Sequence, residues 1–198
     1  MLVPLIRKTI LLTFALLVTT ATMSQTNYGM AKKIAYDKDI DGFRYIQSNS
    51  ISILTPGEPI NTINISLNYY EGHKNPYFLL LDSRTELSEK DEVIITFSNK
   101  EELHLFATSS GVSYSHLGIY IKKVAIYDVT YFLDEQQLND IISNSIVAIK
   151  IGSEGDWHEW RINKLWSNKD VGKWLKMNYK AINKRLSNPK YWKRSPLM

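Results

Sequence analysis

Residues 62–69, Thr-Ile-Asn-Ile-Ser-Leu-Asn-Tyr, alternate apolar and polar without a break. A helix would scatter Ile63, Ile65, Leu67 and Tyr69 around its circumference, whereas a strand puts all four on one face. One strand cannot bury such a face alone. It needs sheet neighbours and a second layer, so the segment commits the chain to a β architecture.

The rest of the chain follows. Extended segments are expected at 33–36, 43–47 and 50–54, with a turn at 39–42 between the first two. A short apolar run at 77–81 reads as a more buried strand. Residues 92–98 and 102–108 flank Asn99-Lys100-Glu101 and read as a hairpin. The aromatic, β-branched stretch 118–132 reads as one bent strand or two, and 145–151 as another. Seven or more short strands at this spacing predict an all-β fold. It is an antiparallel β-sandwich or barrel-like sheet with one short internal helix and a C-terminal amphipathic helix. For the internal helix, Asp134 and Gln137 have capping-box spacing ahead of Leu138, Ile141 and Ile142. For the C-terminal helix, Val171, Trp174, Leu175, Tyr179, Ile182 and Leu186 share one arc of a wheel. Lys173, Lys176, Lys180 and Lys184 lie roughly opposite.

With 198 residues the chain is about one domain. Arg7 and Lys8, the uncharged run 9–21 and the small residues around 22–24 have the layout of a secretory signal peptide over 1–24. The run is shorter than the ~20 residues that span a bilayer. The division expected is therefore leader 1–24, β-rich domain 25–165 and basic helical segment 166–198. The absence of cysteine excludes disulfides, thiolate metal sites and a thiol nucleophile. It suits a bacterial periplasm or exterior better than a disulfide-using secretory route. Charge is split. Residues 25–160 hold 11 Lys and Arg against 19 Asp and Glu, whereas 161–198 hold 11 against one, Asp170. The overall +4 thus conceals an acidic body and a basic tail.

The order of elements carries a resemblance. Asp37-Lys38-Asp39-Ile40-Asp41-Gly42 leads into Phe43-Arg44-Tyr45-Ile46-Gln47. Alternating strands and the 93–97/103–107 hairpin follow, then Tyr131-Phe132-Leu133-Asp134-Glu135-Gln136-Gln137-Leu138 and the strand 146–151. Over about 31–165 this resembles small exported proteins of Bacteroidota that carry a β-sandwich-like domain of unknown function. The resemblance implies fold and location and brings no catalytic residues with it.

Three groups of residues invite chemistry. Trp157, His158 and Trp160 are candidates for an aromatic platform on which a sugar or peptide stacks. Because Trp157 and Trp160 are three apart, a strand would turn them to opposite faces and bury one. Lys173, Trp174, Lys176, Lys180 and Lys184 form a cationic helix. It is read either as docked on the acidic body or as a surface for a protein partner or anionic lipid. Asp37, Asp39 and Asp41 with Gly42 spell the first half of a calcium loop. The twelfth position is Ser48 rather than Glu, and a hairpin turn explains the same residues without calcium. His116 lies near Ser113 and Ser115 without a nucleophile-elbow pattern. No phosphate-cradling loop occurs, and no nucleic-acid partner is expected. The leading expectation is a non-catalytic binding or interaction module of the periplasm or cell envelope. The rivals are a small hydrolytic enzyme with a loop-built site and an envelope-associated protein using its basic helix on anionic lipid.

Overall fold

The computed structural model describes residues 33–55, 58–84, 86–117, 122–153, 155–162 and 170–188. The leader expected at 1–24 and the end of the basic segment lie outside them. Eleven strands and two helices follow in order. They are β1 (Ile34–Ile40), β2 (Phe43–Ser48), β3 (Ile51–Thr55), β4 (Glu58–Tyr70), β5 (Tyr77–Ser83), β6 (Glu92–Phe97), β7 (Glu102–Phe106), β8 (Ser109–Leu117) and β9 (Lys122–Phe132). Helix α1 (Glu135–Ser143), β10 (Ile146–Ser153), β11 (Asp156–Arg161) and helix α2 (Val171–Leu186) complete the set. The fold is all-β, as expected, with a short internal helix and a C-terminal one.

The strands form two antiparallel sheets. The larger runs β1-β2-β4-β5-β9-β8, with β3 also paired to β4, and the smaller runs β11-β10-β6-β7. Alternation determines which face each strand buries. Ile63, Ile65 and Leu67 of β4 meet Leu79 and Leu81 of β5, Val93 and Ile95 of β6, and Ile149 and Ile151 of β10 in one connected core. The chain moves from the large sheet to the small one through α1. Asp134 accepts from the Gln137 backbone N–H at 2.8 Å, and the Gln137 side chain accepts from the Asp134 N–H at 2.9 Å, which is the expected capping box. Between β1 and β2, Asp41 and Gly42 both take positive φ, 54° and 83°, in a two-residue turn. Such a turn matches the twist of a hairpin.

Strand β4 holds the large sheet together. Its C-terminal part pairs with β2 and its N-terminal part with β3. β2 and β3 are therefore one long strand interrupted at Asn49-Ser50. At the interruption the backbone groups find other partners. The Ser48 N–H donates to Asn68 Oδ1 at 3.0 Å, and the Asn49 carbonyl accepts from Trp174 Nε1 at 3.1 Å and Asn178 Nδ2 at 3.2 Å. Both of these donors stand on α2, which packs against β4, β2, β1 and α1.

The basic helix is thus docked on the body. Val171, Leu175, Ala181 and Ile182 are buried, and burial of each large side chain stabilises by about 1.5–3 kcal/mol. Asp170 caps its N-terminus, accepting from the Lys173 N–H at 3.0 Å. Tyr77 Oη donates to Asn183 Oδ1 at 2.8 Å. Burial pushes that phenol up to about 12, so it stays a donor at any physiological pH.

Close approach of the two helices depends on Gly172. A β-carbon there would stand 2.4 Å from the Asn144 carbonyl oxygen at the end of α1. In an unpacked helix Gly→Ala stabilises by ~1 kcal/mol. Here Gly172→Ala is expected to destabilise by about 1–3 kcal/mol, read as a lower midpoint in urea; a raised midpoint would place α2 away from α1.

Candidate functional site

The four strands of the small sheet turn their second face to solvent. Register assigns its residues to three rows running from β11 to β7. The first is Trp157, Gly152, Glu92 and Phe106. The second is Glu159, Lys150, Ile94 and His104, and the third is Arg161, Ala148, Thr96 and Glu102. The two central strands carry the small Gly152, Ala148 and Thr96 beside the longer Glu92, Lys150 and Ile94, and the edge strands carry long side chains throughout. The result is a shallow depression of about 560 Å³, lined by Thr96, Glu102, Ala148, Lys150, Glu159 and Arg161 among others.

The edges carry the unusual chemistry. Trp157 is 42% exposed and Phe106 is 74% exposed, on the outermost strands of one row. With strands ~4.8 Å apart, the two rings stand about 14 Å from each other. Between them Gly152 admits no side chain, since a β-carbon would fall against the Asp156 carbonyl. Polar groups are held in place beside them. His104 Nδ1 lies 2.5 Å from Glu92 Oε1, and its Nε2 is 3.9 Å from Glu102 Oε2. Arg161 Nε donates to Glu159 Oε1 at 2.8 Å, and this bond holds the guanidinium above its ordinary pKa.

The expected platform is corrected in one respect. Trp160 is 0% exposed and belongs to the core, because it lies three positions from Trp157 on the same strand. It presents no ring to a ligand. His158 lies on the Trp160 side, its Nε2 3.8 Å from Asp156 Oδ1, beyond hydrogen-bond reach. Trp157 alone of the three presents an open aromatic face. The residues that join it, Phe106, His104 and Lys150, come from other strands, and only register brings them together. The side chain of His116 lies outside the described residues.

The acidic turn has a structural occupation. Arg44, buried on β2, donates from Nε to Asp37 Oδ1 and from Nη2 to Asp37 Oδ2, both at 3.0 Å. The same Nη2 donates to the Arg185 carbonyl in the last turn of α2, also at 3.0 Å. Asp39 Oδ1 accepts from the Gly42 N–H at 2.8 Å, closing the turn. Among the described residues no group of three or more His, Asp or Glu converges as a metal site. On the cationic helix, Lys173, Lys176 and Lys180 are exposed and Lys184 is half-buried. Trp174 is turned into the body, with Lys33 Nζ 2.9 Å above its ring. The apolar arc that a lipid surface would require is the one packed on the core. No helix among the described residues is long and apolar enough to cross a membrane.

The second face of the large sheet also carries a polar row. Ser52, Asn64, Asp82, Asp128 and Gly111 are consecutive cross-strand neighbours on five strands. Asn64 Nδ2 donates to Asp82 Oδ1 at 2.6 Å. Nearby, Ser66 and Asn68 are fully buried although they occupy the polar positions of the alternating segment. Burial raises both Asp82 and Asp128 above the ordinary carboxylate value of 3.8.

Comparison of the chain with protein-family models, curated proteins and solved structures finds no match.

Two measurements follow from these sites. Raised carboxyls bind protons more tightly folded than unfolded. They therefore withdraw stability as pH rises from 3.8 through their folded values, and the loss persists above. Asp128→Asn is expected to raise the melting temperature at pH 7, with the gain shrinking to nothing below pH 3.8. Asp37→Ala takes the carboxylate away from the buried Arg44 guanidinium and is expected to destabilise by about 3–5 kcal/mol. Because that loss is one of an ion pair, it is expected to be the same with excess calcium and with chelator.

Proposed function

We propose that this chain is an exported, non-catalytic binding module of the periplasm or cell envelope. Its ligand is a short oligosaccharide laid across the open face of the small sheet. One observation carries the reading. Trp157 and Phe106, two exposed aromatic rings, end one row of the sheet face with Gly152 and Glu92 between them, and a depression lined by Thr96, Ala148, Lys150 and Arg161 opens on the rows beside it. A sugar ring offers apolar C–H faces to an aromatic plane and hydroxyls at its rim. Glu92, Glu102, His104, Lys150 and Arg161 supply acceptors and donors for those hydroxyls within the same three rows. A flat, partly wet sheet face suits an extended ligand better than a compact one. The leader-like residues 1–24, the lack of cysteine and the resemblance to exported Bacteroidota domains support the location. They also make a cell-envelope glycan the natural class to try.

Isothermal titration with soluble envelope oligosaccharides tests the reading. Trp157→Ala and Phe106→Ala are each expected to weaken binding about 10- to 100-fold while leaving the melting temperature in place. Lys173→Glu on the docked helix is expected to leave binding unchanged. Trp160→Ala, by contrast, is expected to cost about 3–5 kcal/mol of stability. Equal affinity in the parent and Trp157→Ala would remove the platform. Cleavage of the bound glycan, lost in His104→Asn, would install the hydrolytic alternative instead.

A further inference from the structure

A sheet edge presents unpaired backbone N–H and C=O groups, and proteins normally blunt it with charge, proline, a bulge or short length. Among the described residues five strands have an unpaired outer edge, and four of these edges are blunted by charge or short length. β1 carries Asp37, Lys38 and Asp39, β3 has only five residues, β7 has five residues including Glu102, and β11 carries Asp156, Glu159 and Arg161. β8 is different. Its nine residues, Ser-Ser-Gly-Val-Ser-Tyr-Ser-His-Leu, include neither proline nor any Asp, Glu, Lys or Arg. It pairs with β9 in unbroken register along its whole length. Among the described residues nothing pairs with its outer edge. Val112, an apolar side chain on this edge, is 53% exposed.

We infer that β8 is a self-association edge, on which a second copy of this chain pairs β8 to β8, antiparallel, about a two-fold axis at Ser113. An edge of this kind accepts an extended backbone, so the occupant is a strand. The strand itself identifies which. Pairing about Ser113 sets position 112 opposite position 114 of the second copy, a valine facing a tyrosine, which is a favourable cross-strand combination. It sets 111 opposite 115, glycine facing serine, and 110 opposite 116, serine facing histidine. No Asp, Glu, Lys or Arg meets its own kind anywhere along the nine positions. β1 and β11, paired with themselves, would bring several carboxylates close together. The two-fold also closes the assembly at a dimer.

Because the axis lies at Ser113, position 113 opposes itself, and this gives a specific test. The full chain is examined by analytical ultracentrifugation over a concentration series, beside Ser113→Glu and Ser113→Lys. Ser113 is exposed, so neither substitution disturbs the core. The parent is expected to dimerise. Each variant, opposing like charges at the axis, is expected to self-associate at least about tenfold more weakly, with a melting temperature equal to the parent's at concentrations low enough for both to be monomeric. An equimolar mixture of the two variants is expected to recover the dimer, since Glu then faces Lys. A parent that stays monomeric at every concentration, variants that associate as the parent does, or a mixture that stays monomeric would each overturn the inference. Val112→Lys serves as a second disruption away from the axis, and dimerisation unaffected by it would also overturn it.

Discussion

A single guanidinium joins the two ends of this molecule. Arg44 lies on the second strand, is almost wholly buried, and divides its donors between Asp37 and the carbonyl of Arg185. A buried cation is tolerated only when its donors are matched. Here one carboxylate and one helix-terminal carbonyl do so. The carbonyl end of a helix carries partial negative charge, so Arg44 also neutralises the end of α2. The Asn49 carbonyl complements it by receiving two side chains from the other half of the same helix. The helix is held toward both ends by groups of the large sheet.

That arrangement explains the division of labour between the sheets. The large sheet gives one face to α2 and the core, and its other face carries a ladder of Ser, Asn and Asp that is partly withdrawn from water. The small sheet gives one face to the core and, among the described residues, receives no helix on the other. Its other face mixes small and long side chains on the central strands and has aromatic or charged ones at the rim. The helix that might have covered a sheet face is engaged elsewhere, and the open face follows from that.

Much of this was legible in the sequence, for identifiable reasons. The alternation at 62–69 assigned the core face of β4 correctly, and the capping box located α1. The spacing of Trp157 and Trp160 forecast that one would be buried. The apolar arc of 171–186 forecast a docked helix. What escaped was either non-local or weakly apolar. β8 lacks the hydrophobic run that marks a strand, since its odd positions are mostly serine and its even positions mix Ser110 and His116 with Val112 and Tyr114. Asp37 looked like part of a cation loop because its partner Arg44 has no marker at the sequence level. The last contact of that cluster spans 141 positions. Phe106 and Trp157 lie on strands far apart in the chain, and only the register of β6, β7, β10 and β11 puts them in one row. Ser66 and Asn68 follow the polar rhythm yet are buried, because periodicity identifies the face and neighbouring side chains decide its exposure.

The clasp of Arg44 on Arg185 also orders events in time. A polypeptide emerges from its N-terminus, so β1 and β2 are made long before the residues that complete them. Until α2 appears, Arg44 lacks one acceptor and the Asn49 carbonyl lacks both donors. Pairings between consecutive strands can form early, whereas β2–β4, β5–β9, β6–β10 and the docking of α2 join parts that are farther apart in the chain. The contacts of α2 with Arg44 and with the Asn49 carbonyl are therefore among the last to form as the chain is made. The helix that clasps β1 and β2 is thus made after the strands it clasps.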